Sequence, residues 1–224
     1  VNIMCQINHP AIAKFVGYSP VDFYNEPKPV FITENYDDIY NYNIDDTLEL
    51  IIFYGVAAGM AYLQEHNILH RNLKMNSIGL NHHKLPVITG FDIAKEMNFN
   101  SVEPNETIKG APVYIAPEVY LNKGYNKKSD VYSYSLILYE LLTKEQPYKD
   151  FYSPKEIKEK ICKENYRPSF NKPILKCYQN LIEKCWSSNP SDRPTFKEIM
   201  TELKTNPEFI TDTVDKERFF EYVA

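Results

Sequence analysis

No G-x-G pair occurs anywhere in the 224 residues, so the chain carries no glycine-rich phosphate loop of that pattern. No two of the four cysteines, at 5, 162, 177 and 185, stand in C-x-x-C spacing, and no histidine pair lies nearby at zinc-finger spacing. They read as reduced core thiols of a cytoplasmic protein, and no metal site is expected. Positive charge is not in excess: 25 Lys and Arg against 30 Asp and Glu give a net charge of −5. That balance supplies no attraction for nucleic acid or for an anionic membrane, and neither is expected as a partner. No apolar run reaches the ~20 residues that span a bilayer. The longest, 50–63, holds Gly55 and Gly59, a spacing that in so short a run marks close helix packing. No basic-then-apolar leader opens the chain. Repeats and low-complexity tracts are absent, and the sequon Asn105-Glu106-Thr107 has nothing beside it that suggests secretion.

What is there is an ordinary globular composition, 43% hydrophobic and 25% charged. Residues 1–8 read as the end of a helix stopped at His9-Pro10, because proline disfavours helix just before it. Residues 13–17 and 30–34 read as short strands, the second β-branched and aromatic. A polar connector, 35–46, leads to a helix over 47–65 that is apolar on nearly every side, hence buried, with Asp46 or Thr47 as its cap. Strand-like pieces follow at 78–80 and 86–88, then an irregular stretch over 89–118, of a length that is usually functional or disordered. Helices are predicted over 131–143 (started by Ser129 or Asp130), 154–164, 173–186 and 195–204. Strands first and helices after give an α+β class rather than an alternating sheet.

Motifs appear on this frame in a fixed order. His70-Arg71-Asn72-Leu73-Lys74 resembles the protein-kinase catalytic loop, His-Arg-Asp-Leu-x-x-x-x-Asn. Gly90-Phe91-Asp92 falls where kinases carry Asp-Phe-Gly, and Ala116-Pro117-Glu118 matches the Ala-Pro-Glu that ends the activation segment. Ser129-Asp130-Val131-Tyr132-Ser133-Tyr134-Ser135 is similar to the family's Ser-Asp-Val-Trp-Ser-Phe-Gly, and Cys185-Trp186 followed by Asp192-Arg193-Pro194 to its Cys-Trp…Arg-Pro ending. Five motifs in order over about 125 residues identify a resemblance to the protein kinase superfamily. Lys74 and Trp186 favour its tyrosine-kinase-like group.

The resemblance implies a kinase-like fold that is mostly the helical C-lobe. Residues 1–36 would be a remnant of the N-lobe and hinge, with the end of the family's C-helix and two or three strands. Residues 37–206 would be the C-lobe, and 207–224 a tail. Both ends read as cut, Val1 and the apolar-rich 219–224, so a truncated piece of a longer product is expected. Thr33 falls at the gatekeeper and Glu34, Asn35 and Tyr36 in the hinge, the positions that would meet a nucleotide base. The family's C-helix glutamate, strand-three lysine and glycine-rich loop would lie upstream of Val1.

Phosphoryl transfer is mostly positioning and charge neutralisation, and the resemblance lets each task be checked. The base is Asn72, an amide that takes up no proton; general-base help is worth ~10²–10⁴-fold in rate. The asparagine that holds a second metal is Ser77, and the aspartate that is the main Mg²⁺ ligand is Gly90, which has no side chain. Asp92, two residues on, would point the same way as Gly90 if the segment were extended. Gly79 falls under the adenine position, and Ala111 where Ser/Thr kinases carry a bracing threonine, while Lys74 is retained. Residues tied to architecture survive: Glu118 and Arg193 as an ion pair, and Asp130 as acceptor for backbone N–H groups near His70 and Arg71. Met4, Phe15, His70 and Phe91 fall at the regulatory spine, and Ile137 and Leu141 share a face of the central helix.

The expectation is a degenerate kinase domain, a pseudokinase acting as an interaction or regulatory module in signalling. It would need no cofactor, have a protein partner and not be an enzyme. The alternatives are a fragment of an active Ser/Thr kinase using ATP and Mg²⁺, with Asp92 or Glu96 recruited for metal, and a remnant without function. Arg71 could receive a phosphate on Ser101, Thr107 or Tyr114.

Overall fold

The structure, a computed structural model, describes residues 2–97 and 108–224. The sequon at 105–107 and the candidate phosphosites Ser101 and Thr107 lie outside the described residues. Helix α1 (Asn2–Gln6) leads to an antiparallel pair, β1 (Phe15–Ser19) and β2 (Val30–Thr33). A three-stranded antiparallel sheet follows in the order β3 (Asp37–Asp38), β5 (Ile78–Leu80), β6 (Pro86–Ile88). β4 (Ile68–Leu69) pairs antiparallel with β7 (Lys95–Glu96). The rest is helical: α2 (Asp46–Glu65), α3 (Pro117–Tyr120), α4 (Lys127–Thr143), α5 (Pro154–Lys163), α6 (Lys176–Cys185), α7 (Phe196–Thr205) and α8 (Lys216–Tyr222).

α2 and α4 form the centre. α2 is the one described helix long and apolar enough to cross a membrane, but Leu50, Ile51, Ile52, Phe53, Val56 and Met60 are fully enclosed by protein, as in a core helix. Its cap is Asp45, which accepts from the Leu48 N–H at 2.7 Å, in place of the expected Asp46 or Thr47. α4 begins earlier than expected, behind Asn126; Ser129 is the third residue of that capping box and not the start. α6 starts at Lys176, so Pro173 lies outside it.

α4 is buried although it carries many polar groups, because each finds a partner inside. Ser133 donates to the Tyr114 carbonyl at 2.8 Å and Tyr134 to the Phe53 carbonyl at 2.9 Å, while Tyr132 and Tyr148 share a 2.8 Å hydroxyl–hydroxyl bond. Buried polar groups that are bonded in this way avoid the 1–3 kcal/mol that an unpaired one typically costs.

Gly59 lets α2 close on the sheet. A methyl there would lie 2.7 Å from Ile88 Cδ1 and 3.1 Å from the Ala11 carbonyl. Gly55 meets Pro86 and Tyr222 in the same way, so the small-residue spacing serves strand β6 and helix α8 as neighbours.

Candidate functional site

The catalytic-loop segment 70–74 is held from below by α4. Asp130 is buried and accepts from the His70 and Arg71 N–H groups, each at 3.0 Å. Burial pushes its carboxyl up to about 6, against the pull of those two bonds. His70 is fully buried; its Nε2 meets the Thr89 carbonyl at 2.8 Å, and its Nδ1 accepts from the Asn72 N–H at 3.3 Å. That pattern fits a neutral ring protonated on Nε2, and burial lowers its pKa to about 4. The Phe91 ring stands edge-on to His70 at 4.9 Å. Met4, also buried, lines the cleft with Phe91, and Phe15 pairs with Thr33 across β1 and β2.

Arg71 takes φ +62°, stacks over Tyr125 at 5.3 Å and donates through Nε to the Ile93 carbonyl at 2.7 Å. Gly110, at φ +104°, passes so close that a Cβ would lie 2.7 Å from the Arg71 carbonyl, so only glycine fits there. Further on, Tyr114 and Tyr40 both donate to Glu140 of α4, Tyr40 at 2.9 Å. Glu118 and Arg193 form a buried fork: Nη1 to Oε1 at 2.7 Å and Nη2 to Oε2 at 2.8 Å. Arg193 also bonds the Ser187 and Lys128 carbonyls, and Ser129 donates to Glu118.

A cleft of about 360 Å³ opens between β1–β2 and the catalytic loop. It brings together Thr33, Tyr36, Asn72, Lys74, Ser77, Gly90 and Phe91. Glu34, Asn35 and Ala111 are not in its wall; Glu34 pairs with Lys14 at 3.0 Å, and Ala111 borders a small pocket with Arg71, Asn72 and Asp130. Asn76 and Thr89 line the cleft without having been singled out in the sequence. Asn76 stands beside Ser77, which was the available signal.

The polar groups facing a metal are poor ones. The Ser77 hydroxyl donates to the Lys74 carbonyl at 2.6 Å and accepts from the Lys74 N–H at 2.9 Å, closing a turn of 3-10 helix. Gly90 sits at φ +77°, ψ 44°, with room where a side chain would start: a Cβ would lie 3.4 Å from Ser77 Cβ. Asp92 borders the cleft, but 91–93 is a 3-10 turn and not extended, so the alternation that would aim it like residue 90 does not hold. Mg²⁺ needs hard oxygen ligands in near-octahedral array, and these residues do not supply the set. Among the described residues no cluster of three or more His, Cys, Asp or Glu could hold a metal. On the base side, Gly79 is covered by the Tyr36 ring; a Cβ on Gly79 would lie 2.5 Å from Tyr36 Cδ2.

A fold of this order, with this loop, cleft and buried Glu118–Arg193 fork, defines a kinase C-lobe. The family model described as protein tyrosine and serine/threonine kinase matches residues 1–203, and the chain belongs to that family. It is 30% identical over 217 residues to the dual specificity protein kinase shkC of Dictyostelium discoideum, covering 91% of this chain and 42% of that protein. It is also 30% identical over 228 residues to the serine/threonine-protein kinase STY17 of Arabidopsis thaliana, covering 97% of this chain and 38% of that protein. The chain thus spans about two fifths of the length of these relatives.

Proposed function

We propose that this domain is a catalytically inactive member of its family, a pseudokinase that serves as an interaction or regulatory module in the cytoplasm. The observation that carries the reading is the state of three positions in one cleft. Asn72 offers an amide in place of a base, Gly90 offers no ligand, and the Ser77 hydroxyl is spent on the Lys74 backbone. One such change could be compensated locally; loss of the base and of both metal anchors leaves neither proton transfer nor charge neutralisation.

A protein partner is supported by surface chemistry. The β1–β2 loop presents Phe23 and Tyr24 at 90% and 87% exposure. Asp22 closes the turn of that loop by accepting from the Tyr24 and Glu26 N–H groups. Large apolar side chains exposed side by side on an ordered loop suit an interface.

A second reading is a segment of an active kinase that transfers phosphate from ATP to protein. It is favoured by the names of the relatives, by the retained Lys74 and by the open cleft with Asp92 on its border. Phosphoryl-transfer assays with Mg²⁺ and ATP separate the two. The first reading expects no transfer to protein; transfer that is lost on Asp92→Asn would establish the second.

A further inference from the structure

The family match stops at residue 203, yet the chain beyond it is folded onto the body. After α7, a 3-10 turn at Pro207–Phe209 buries Phe209, whose ring meets Tyr178 of α6 at 4.9 Å. The next residues reach the start of α2. The Asp215 N–H donates to Thr47 Oγ1 at 2.8 Å, and the Thr213 hydroxyl donates to Asp46. Asp215 caps α8 by accepting from the Arg218 N–H at 3.1 Å. α8 then lays Phe219 and Tyr222 edge-on against Tyr54 of α2, each at 6.2 Å between ring centroids. Lys204 closes the end by donating to the Val223 carbonyl at 2.8 Å.

The seat of α8 is a notch made by Gly55. A methyl at that position would lie 2.3 Å from the Tyr222 hydroxyl and 2.5 Å from Pro86 Cγ, distances that cannot be met without movement. Phe219 has no exposed surface, so the docked face is well filled. The helix has only seven residues. Isolated helices below ~12 residues are marginal in water, so α8 is helical because it is docked. Its packing is chiefly on one element, α2. Peripheral segments held by few neighbours open at a fraction of the global unfolding free energy.

We infer that residues 211–223 form a strap: a unit that opens by itself while the body stays folded. Its release uncovers the notch between Tyr54, Gly55 and Pro86 and frees Asp46 and Thr47 at the head of α2. The occupant of the notch is this chain's own α8. The inference does not depend on whether the cleft is catalytic.

Hydrogen exchange followed by mass spectrometry on the full chain tests it. Amides of α8 are expected to exchange about 100-fold or more faster than those in the middle of α4, as local opening allows. Gly55→Ala should raise the α8 rate about tenfold again and leave α4 unchanged. Because Gly55→Ala also strains α2 against Pro86, Tyr222→Ala serves as the second variant, with the same expected direction for α8. Equal protection of α8 and α4, or variants that speed α4 as much as α8, would overturn the strap.

Discussion

At the scale of single residues, the Glu118–Arg193 fork ties the end of the activation segment to the loop before α7. Both side chains are at most 5% exposed. Removing one partner of such a pair strands the other charge, which typically costs about 3–5 kcal/mol. Glu118→Ala should therefore lower unfolding stability by that amount in urea titration, a large part of the ~5–15 kcal/mol available to a domain. His70 and Asp130 make a pH prediction. The folded state holds the His70 pKa near 4 against 6.5 when unfolded, so its contribution is present above pH 6.5 and is lost as pH falls towards 4. Asp130 is the reverse: raised from 3.8 to about 6, it adds stability as pH falls from 6 to about 4. The two oppose each other in one window. Between pH 6.5 and 4, His70→Asn should gain stability relative to the unmodified protein on acidification, and Asp130→Asn should lose it. Parallel denaturation series at pH 7 and 4.5 read the two slopes.

At the scale of elements, helices announced themselves by pattern and their ends did not. The apolar runs in 47–65 and 131–143 mark the two central helices, because a buried helix must be apolar or internally bonded on all sides. Their caps fell one to four residues upstream of the candidates, at Asp45 and Asn126. Several Asp, Asn and Ser residues compete at each start, and only the backbone geometry chooses among them. The contact of Tyr36 with Gly79 was illegible, since it joins a hinge side chain to a strand more than forty residues away. The role of Ser77 was half legible: its identity spoke against a metal ligand, but its closure of the Lys74 turn depends on the local backbone geometry. α8 left a trace, apolar residues at 219, 222 and 223 behind a capping Asp215, yet nothing in the pattern said what it covers. The glycines of α2 were readable as sites of close approach but not as to neighbour. Gly59→Ala should cost about 1–3 kcal/mol, the usual range for overpacking, because the Ala11 carbonyl cannot move as freely as the Ile88 methyl. Thermal unfolding monitored by circular dichroism would show it.

For the molecule as a whole, the sequence retains what builds a kinase C-lobe, and at Asn72, Ser77 and Gly90 it departs from the family's catalytic pattern. The anchors of the catalytic loop, Asp130 and His70, are buried and bonded, so the loop is held in shape with Asn72 in it. The cleft beside it is open, with Lys74 on its wall and no side chain at Gly90. On the proposed reading, such a site admits a ligand without organising Mg²⁺ around it. Titrating ATP into the protein by calorimetry with Mg²⁺ and again with EDTA decides whether the cleft organises a metal. Any heat of binding is expected to be the same in both, or absent in both. Binding that tightens tenfold or more with Mg²⁺ would mean that this cleft assembles a metal site after all, and the reading as an inactive module would fall.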